Sequence, residues 1–156
     1  QIKLKEKDGN RSVLAGVPST LPALNKAYRI QEKAANSGFD WAEASEVWDK
    51  VREEIGEFSA EAEKVRMLRH QAEATPEEIS AASERMESEM GDVFFSLVNA
   101  ARLYGVIPEN ALEKTNKKFI SRFNHIEKRA REAGRKLNEL TLEEMEEYWQ
   151  EAKDKS

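Results

Sequence analysis

Several residue types are missing or scarce in this chain, and each absence narrows what it can be. There is no cysteine among the 156 residues, so disulfides, zinc–thiolate centres and thiol nucleophiles are excluded, which fits a cytoplasmic setting. Only 7 glycines and 4 prolines interrupt the chain, and aromatics make up just 8%; a turn-rich β fold would need more of all three. The longest nearly apolar run, Val93 to Val98, is far too short to span a bilayer, so no membrane role is expected. No signal-peptide pattern opens the chain, which starts at Gln1.

What is present is charge, 35% of all residues, unevenly spread. From Glu43 to Asp92 there are 15 acidic and 6 basic residues, a net of −9; from Lys114 to Lys136 there are 9 basic and 2 acidic, a net of +7. Such a pairing suits a metal-plus-phosphate site, although solvated faces alone can produce it. The overall charge is negative and the basic stretch has few aromatics for base stacking, so nucleic acid is not an expected partner.

The periodicity reads as an all-α bundle. Residues 1–18 look like a polar linker or tail, and residues 19–156 like a helical domain. Ser19 or Thr20 is placed to cap a first helix ending near Gly38. A second runs from about Glu43 to His70 with a seam of Val47, Trp48, Val51, Ile55, Phe58, Ala62 and Val65. Thr75-Pro76 starts a third, which Gly105 ends; between Val93 and Val98 it is apolar nearly all round, implying cover from another copy of the chain. A fourth spans Pro108 to Ala133 with a seam of Leu112, Phe119, Phe123, Ile126 and Ala130. Thr141-x-x-Glu144 is a capping box for a fifth, with Leu140 and Met145 placed as a hydrophobic staple.

Two acidic motifs carry the chemistry, Glu54-x-x-Glu57 on the second helix and Glu89-x-x-Asp92 on the third. At about 100° per residue, with Val51 and Met86 as origins, Glu54 and Glu89 fall near 300° and Glu57 and Asp92 near 240°. If the seams pack, four carboxylates meet at one edge, and a hard divalent cation such as Mg2+ is the simplest remedy for their repulsion. Gly91, within the second motif, implies close backbone approach or tight helix packing. Lys50 shares the stripe and either neutralises a carboxylate or reaches a phosphate; Glu53 points away, near 200°, and is not expected as a primary ligand. Lys118, Arg122 and Arg129 form a ridge on the fourth helix, either a phosphate contact or an exposed basic face. Neither His70 nor His125 completes a Glu-x-x-His pattern, which disfavours di-iron and makes both expected surface residues. Trp48 is expected in the core, and packing is the better reading of Trp149 from periodicity alone.

The segments AYRIQEKAANSGFDW (27–41), KVREEIGEF (50–58), EMGDVFFSLVNAAR (89–102), KTNKKFISRF (114–123) and MEEYWQ (145–150) resemble the MazG family of nucleoside triphosphate pyrophosphohydrolases. The resemblance implies an α-helical, domain-sharing homodimer or higher homo-oligomer that cleaves nucleoside triphosphates between the α and β phosphates, with a role in clearing non-standard or excess nucleotides. It implies Glu54, Glu57, Glu89 and Asp92 as magnesium ligands and Lys50 to Glu54 as part of the nucleotide site. Lys118 and Arg122 are then phosphate contacts and Trp149 a nucleotide-contacting aromatic. Glu53 or Glu54 is the expected carboxylate that orients or deprotonates the attacking water. Many family members carry two such domains, and the opening segment resembles the connection before the second, so the chain is expected to be a C-terminal domain. A non-catalytic helical dimerisation or nucleotide-sensing module is the alternative from another class. A dUTP- or dCTP-specific all-α pyrophosphatase shares the chemistry and differs in base choice.

Overall fold

The computed structural model describes residues 12–155. Of the tail expected at 1–18, residues 1–11 therefore lie outside the described residues, and residues 12–20 form turns. Five α-helices follow, and no strand occurs among the described residues: α1 (Ala23–Asn36), α2 (Val47–Arg69), α3 (Pro76–Leu103), α4 (Pro108–Glu132) and α5 (Leu142–Lys155). Short 3-10 turns at Ala44–Glu46 and Leu137–Glu139 precede α2 and α5. The chain divides into two compact units, one ending at Pro108 and the other starting at Glu109.

Local chemistry explains most helix ends. The Thr75 hydroxyl accepts the Glu78 N–H at 3.1 Å while Pro76 takes the first helical position, so one orphan donor is satisfied and another is absent. Gly105 closes α3 and Gly134 follows α4, with φ of 73° and 66°, a region other residues enter only with strain. That geometry lets Val106 N–H return to Ala101 O at 2.8 Å and Arg135 N–H to Ala130 O at 2.9 Å. The capping box forms in full: Thr141 Oγ1 accepts from Glu144 N–H and a Glu144 carboxylate oxygen accepts from Thr141 N–H, both at 3.1 Å. Two expected starts shift. Neither Ser19 nor Thr20 caps α1, whose first residue follows Pro22. The second helix opens as a 3-10 turn and becomes α-helical at Val47, because no side chain caps it.

In the first unit, α2 and α3 pack along their length and α1 packs on α3. Val47 sits against Ala100 and Glu61 beside Arg85, so numbers rise on one helix as they fall on the other and the pair is antiparallel. The buried apolar set is narrow: Val47, Val51 and Val65 from α2, and Ala82, Val93, Val98 and Ala100 from α3, with Trp41 and Leu103 packed at one end. Burying small side chains lets the two backbones approach closely. The expected seam is thus only partly used. Trp48 is 38% and Ile55 46% exposed, and Trp48 is not core: its indole N–H donates to the Tyr104 hydroxyl at 3.0 Å at the helix edge. The segment expected to be buried all round is also one-sided here. Val93, Ser96 and Val98 are buried, while Phe94, Phe95 and Leu97 remain exposed.

In the second unit, Ile126, Ala130 and Leu140 form the core, with Leu137, Met145, Tyr148 and Trp149 packed against it, so the staple residues meet as expected. The front half of the expected α4 seam does not join them: Leu112 and Phe119 are more than half exposed. His125 departs from its surface assignment, since its ring faces the Glu151 carboxylate at 3.1 Å with only 15% of its side chain exposed. Thr75→Ala should lower stability by about 1 kcal/mol, and Val51→Ala by about 2 kcal/mol through lost burial and a residual cavity. Urea melts of the two variants check both values and their order.

Candidate metal centre

The antiparallel register of α2 and α3 brings acids from distant parts of the chain to one edge. One carboxylate oxygen each from Glu54, Glu89 and Asp92 lies within 4.8 Å of the others. Glu54 is 6% exposed, Glu89 is half-buried and Asp92 is exposed, so the cluster opens from a buried floor towards solvent. One oxygen of Glu54 and one of Glu89 are buried without any hydrogen-bond partner. A buried carboxylate oxygen lacking both water and a donor is costly, and a cation is the simplest group that satisfies two at once. The all-oxygen donor set suits a hard ion of the magnesium or calcium type, so these residues fit the implied metal.

Glu57, the fourth expected ligand, is exposed and outside this triplet, although it hydrogen-bonds to Glu89. Its pKa is raised, first by the charge of Glu54, then by partial desolvation and by the charges of Glu89 and Glu53. A hydrogen bond between two carboxyl groups requires one proton, so a proton occupies the space that a cation would take. Of the two readings open for Lys50, the structure gives neutralisation: its ammonium lies 2.9 Å from a Glu54 oxygen and 3.5 Å from Glu53. Glu53 itself is exposed, as its wheel position implied. The Gly91 expectation fails within the chain, since a Cβ there would meet nothing within 4 Å.

Lys118, Arg122 and Trp149 belong to the second unit. The Arg122 guanidinium lies over the Trp149 ring at 5.6 Å, and Phe119 packs on the same indole at 5.3 Å. Arg122 Nε is buried without a partner, while Lys118 is exposed. The third member of the ridge, Arg129, is already committed to Glu132 at 2.9 Å and Glu151 at 3.3 Å. The reading from spacing missed Gln31, a buried glutamine on α1 whose side-chain nitrogen donates to Phe95 O at 2.9 Å. Its signal was present: Gln31 occupies an inward position in the stripe of Leu24, Tyr28 and Ala35, where an apolar residue is the usual choice.

A pair of long antiparallel helices converging carboxylates on an open edge defines an all-α, acidic, divalent-metal type of site. The chain belongs to the MazG family: the model for the MazG nucleotide pyrophosphohydrolase domain matches residues 42–127. The chain is 40% identical over 155 residues to a nucleoside triphosphate pyrophosphohydrolase of Escherichia coli K12, an overlap of 98% of this chain and 54% of that protein. It is 38% identical over 153 residues to the nucleoside triphosphate pyrophosphohydrolase/pyrophosphatase MazG of Thermotoga maritima, covering 97% of this chain and 52% of that relative. A third relative, the uncharacterized protein YabN of Bacillus subtilis, is 44% identical over 154 residues, 28% of its length. The chain thus spans about half the length of the first two relatives. The reading of it as a second, C-terminal copy draws no support from these shares.

The raised Glu57 pKa has a definite sign for stability. A carboxyl whose folded pKa lies above its unfolded value stabilises the fold at low pH, and that contribution is lost as pH rises through the folded value. In EDTA, the melting temperature of Glu57→Gln relative to the unmodified protein should therefore climb between about pH 4 and about pH 7. Scanning calorimetry across that range checks it; a difference that stays flat would mean that Glu57 feels no acidic neighbours.

Proposed function

We propose that this chain is a cytoplasmic, magnesium-dependent nucleoside triphosphate pyrophosphohydrolase, converting an NTP or dNTP and water to the monophosphate and pyrophosphate. The convergence of Glu54, Glu89 and Asp92, with two buried oxygens lacking partners, carries the reading. The relatives' printed activity supports the substrate class. We take residues 19–156 as one functional domain, a view supported by a family match that runs through both compact units.

Glu54, Glu89 and Asp92 would hold the ion, with Glu57 joining on losing its proton. Once bound, the ion would draw charge from the phosphate oxygens and acidify water. Lys50 fixes Glu54 in position through its 2.9 Å contact. Glu53, exposed beside the same lysine, is assigned the proton of the attacking water; Glu54, the other candidate base, is already engaged by Lys50. The water oxygen bonds to the α-phosphorus, the bond from that phosphorus to the bridging oxygen breaks, and pyrophosphate leaves with the electron pair. Lys118 and Arg122 are assigned the phosphate charge and Trp149 the nucleotide; the partnerless Arg122 Nε supports an anion there. Clearing non-standard or excess nucleotides is the cellular role that fits this chemistry.

Homo-oligomerisation belongs to the same proposal. Phe94 is 59% and Leu97 42% exposed on α3, and Gly91 has open space around it. A second copy would cover that face and give Gly91 the close approach it lacks within one chain.

Product analysis with a panel of ribo- and deoxynucleoside triphosphates tests the reaction. Monophosphate plus pyrophosphate, lost with EDTA, is expected; diphosphate plus phosphate would move the cleavage point, and a magnesium-induced melting shift without turnover would favour a binding module. Asp92→Asn should cut turnover by about a hundredfold or more with helicity unchanged. Sedimentation of Phe94→Glu/Leu97→Glu should give a monomer where the unmodified chain gives a dimer or larger assembly.

A further inference from the structure

The first unit holds a cavity of about 480 Å³ between α1, the connection to α2, and α3. Its walls are mostly apolar: Ile30 and Ala34 from α1, Phe39 and Trp41 from the connection, and Phe95 from α3. Phe39 is 85% exposed although it lines the cavity, so this ring has no packing partner to hold it. Two amides face the same space. Gln31 is 5% exposed, and because its nitrogen must donate to the Phe95 carbonyl, its oxygen is fixed as the other end of the group. That oxygen is buried with no donor. Asn99 has the opposite commitment. Its oxygen accepts from the Arg102 guanidinium at 2.8 and 3.2 Å, and Arg102 is held in turn by Asp40 at 2.6 Å. The Asn99 nitrogen is left as the donor.

An apolar slot with aromatic walls, one fixed acceptor and one donor matches a flat heterocycle carrying an N–H beside a ring acceptor. Asn99 lies seven residues, about 10 Å, along α3 from Asp92, a separation on the scale of a nucleoside between its phosphate and the far edge of its base. The geometry points to this cavity as a nucleobase pocket in which Gln31 is the specificity-determining residue, accepting an N–H from the base edge. The inference rests on the nucleotide reading of the acidic site and adds what selects the substrate. Adenine, guanine, cytosine, uracil and thymine all carry an N–H on that edge, so a single acceptor admits all five and rejects a base that has lost its donor. Broad tolerance of natural bases and discrimination against donor-less ones then follow from one atom.

Purine riboside 5′-triphosphate, which is ATP without its amino group and has no N–H on the ring, is the decisive probe. Against ATP its KM should rise about tenfold with kcat little changed, because the missing hydrogen bond lies away from the reacting phosphorus. GTP, CTP and UTP should stay within a few-fold of ATP. In Gln31→Leu, ATP should lose the same tenfold and purine riboside triphosphate should lose nothing further. Equal KM for the two nucleotides in the unmodified protein overturns the assignment, as does an undiminished preference for ATP in Gln31→Leu. If that variant fails to fold by circular dichroism, the nucleotide series on the unmodified protein decides alone. Failure of the reaction itself looks different: no cleavage, with α,β-methylene ATP still binding about tenfold more tightly than its purine riboside counterpart, sinks the hydrolase and keeps the pocket.

Discussion

The antiparallel packing of α2 on α3 sets the position of everything that bears on function. Small side chains line the contact, Val47 and Val51 meeting Ala100 and Val65 lying further along, so the two helices run close together over several turns. A slip of one residue would rotate each stripe by about 100° and take the acids off the shared edge. In the observed register, Glu54 lies beside Glu89 and Asp92, and Glu61 beside Arg85 one to two turns away. Packing thus forces together charges that would otherwise separate.

That arrangement opposes stability and favours binding at once. Glu54 is buried and touches a single cation, Lys50, while its second oxygen has no partner. The charge of Glu54 is also the largest influence raising Glu57, which shares a proton with Glu89. A cation entering the cluster replaces that proton and satisfies the orphaned oxygens, so the strain of the empty arrangement becomes affinity. Aligning the site with an exposed edge rather than the core keeps the desolvation cost within what marginally stable folds tolerate.

The second unit solves a different problem with similar economy. A complete capping box and an ion pair from Arg135 to Glu144 fix the start of α5. This lets Tyr148 and Trp149 pack on Ile126 and Ala130. Trp149 serves as core packing and as a platform under Arg122, so the two readings that periodicity left in competition are compatible. The free end of α4 keeps Leu112, Phe119 and Ile120 exposed, apolar surface that an isolated helix pair is too small to bury.

Sequence alone was enough to determine that the protein is helical, where its helices stop and which acids share an angular position. These depend on local rules: Thr75 and Pro76 before a helix, glycine after one, and about 100° per residue within. The resemblance carried by KVREEIGEF and EMGDVFFSLVNAAR likewise came from residues in order along the chain. Burial could not be read that way, because periodicity marks a face and not what covers it. Trp48, Ile55 and Phe94 sit at apolar positions yet stay exposed in one chain, while His125 is drawn inward by Glu151. Only tertiary structure joined Gln31 to Phe95 and Asp40 to Arg102, more than sixty residues apart, and made three of the four acids converge while leaving Glu57 at their edge. Those outcomes depend on register and on distances between helices, which no local pattern encodes.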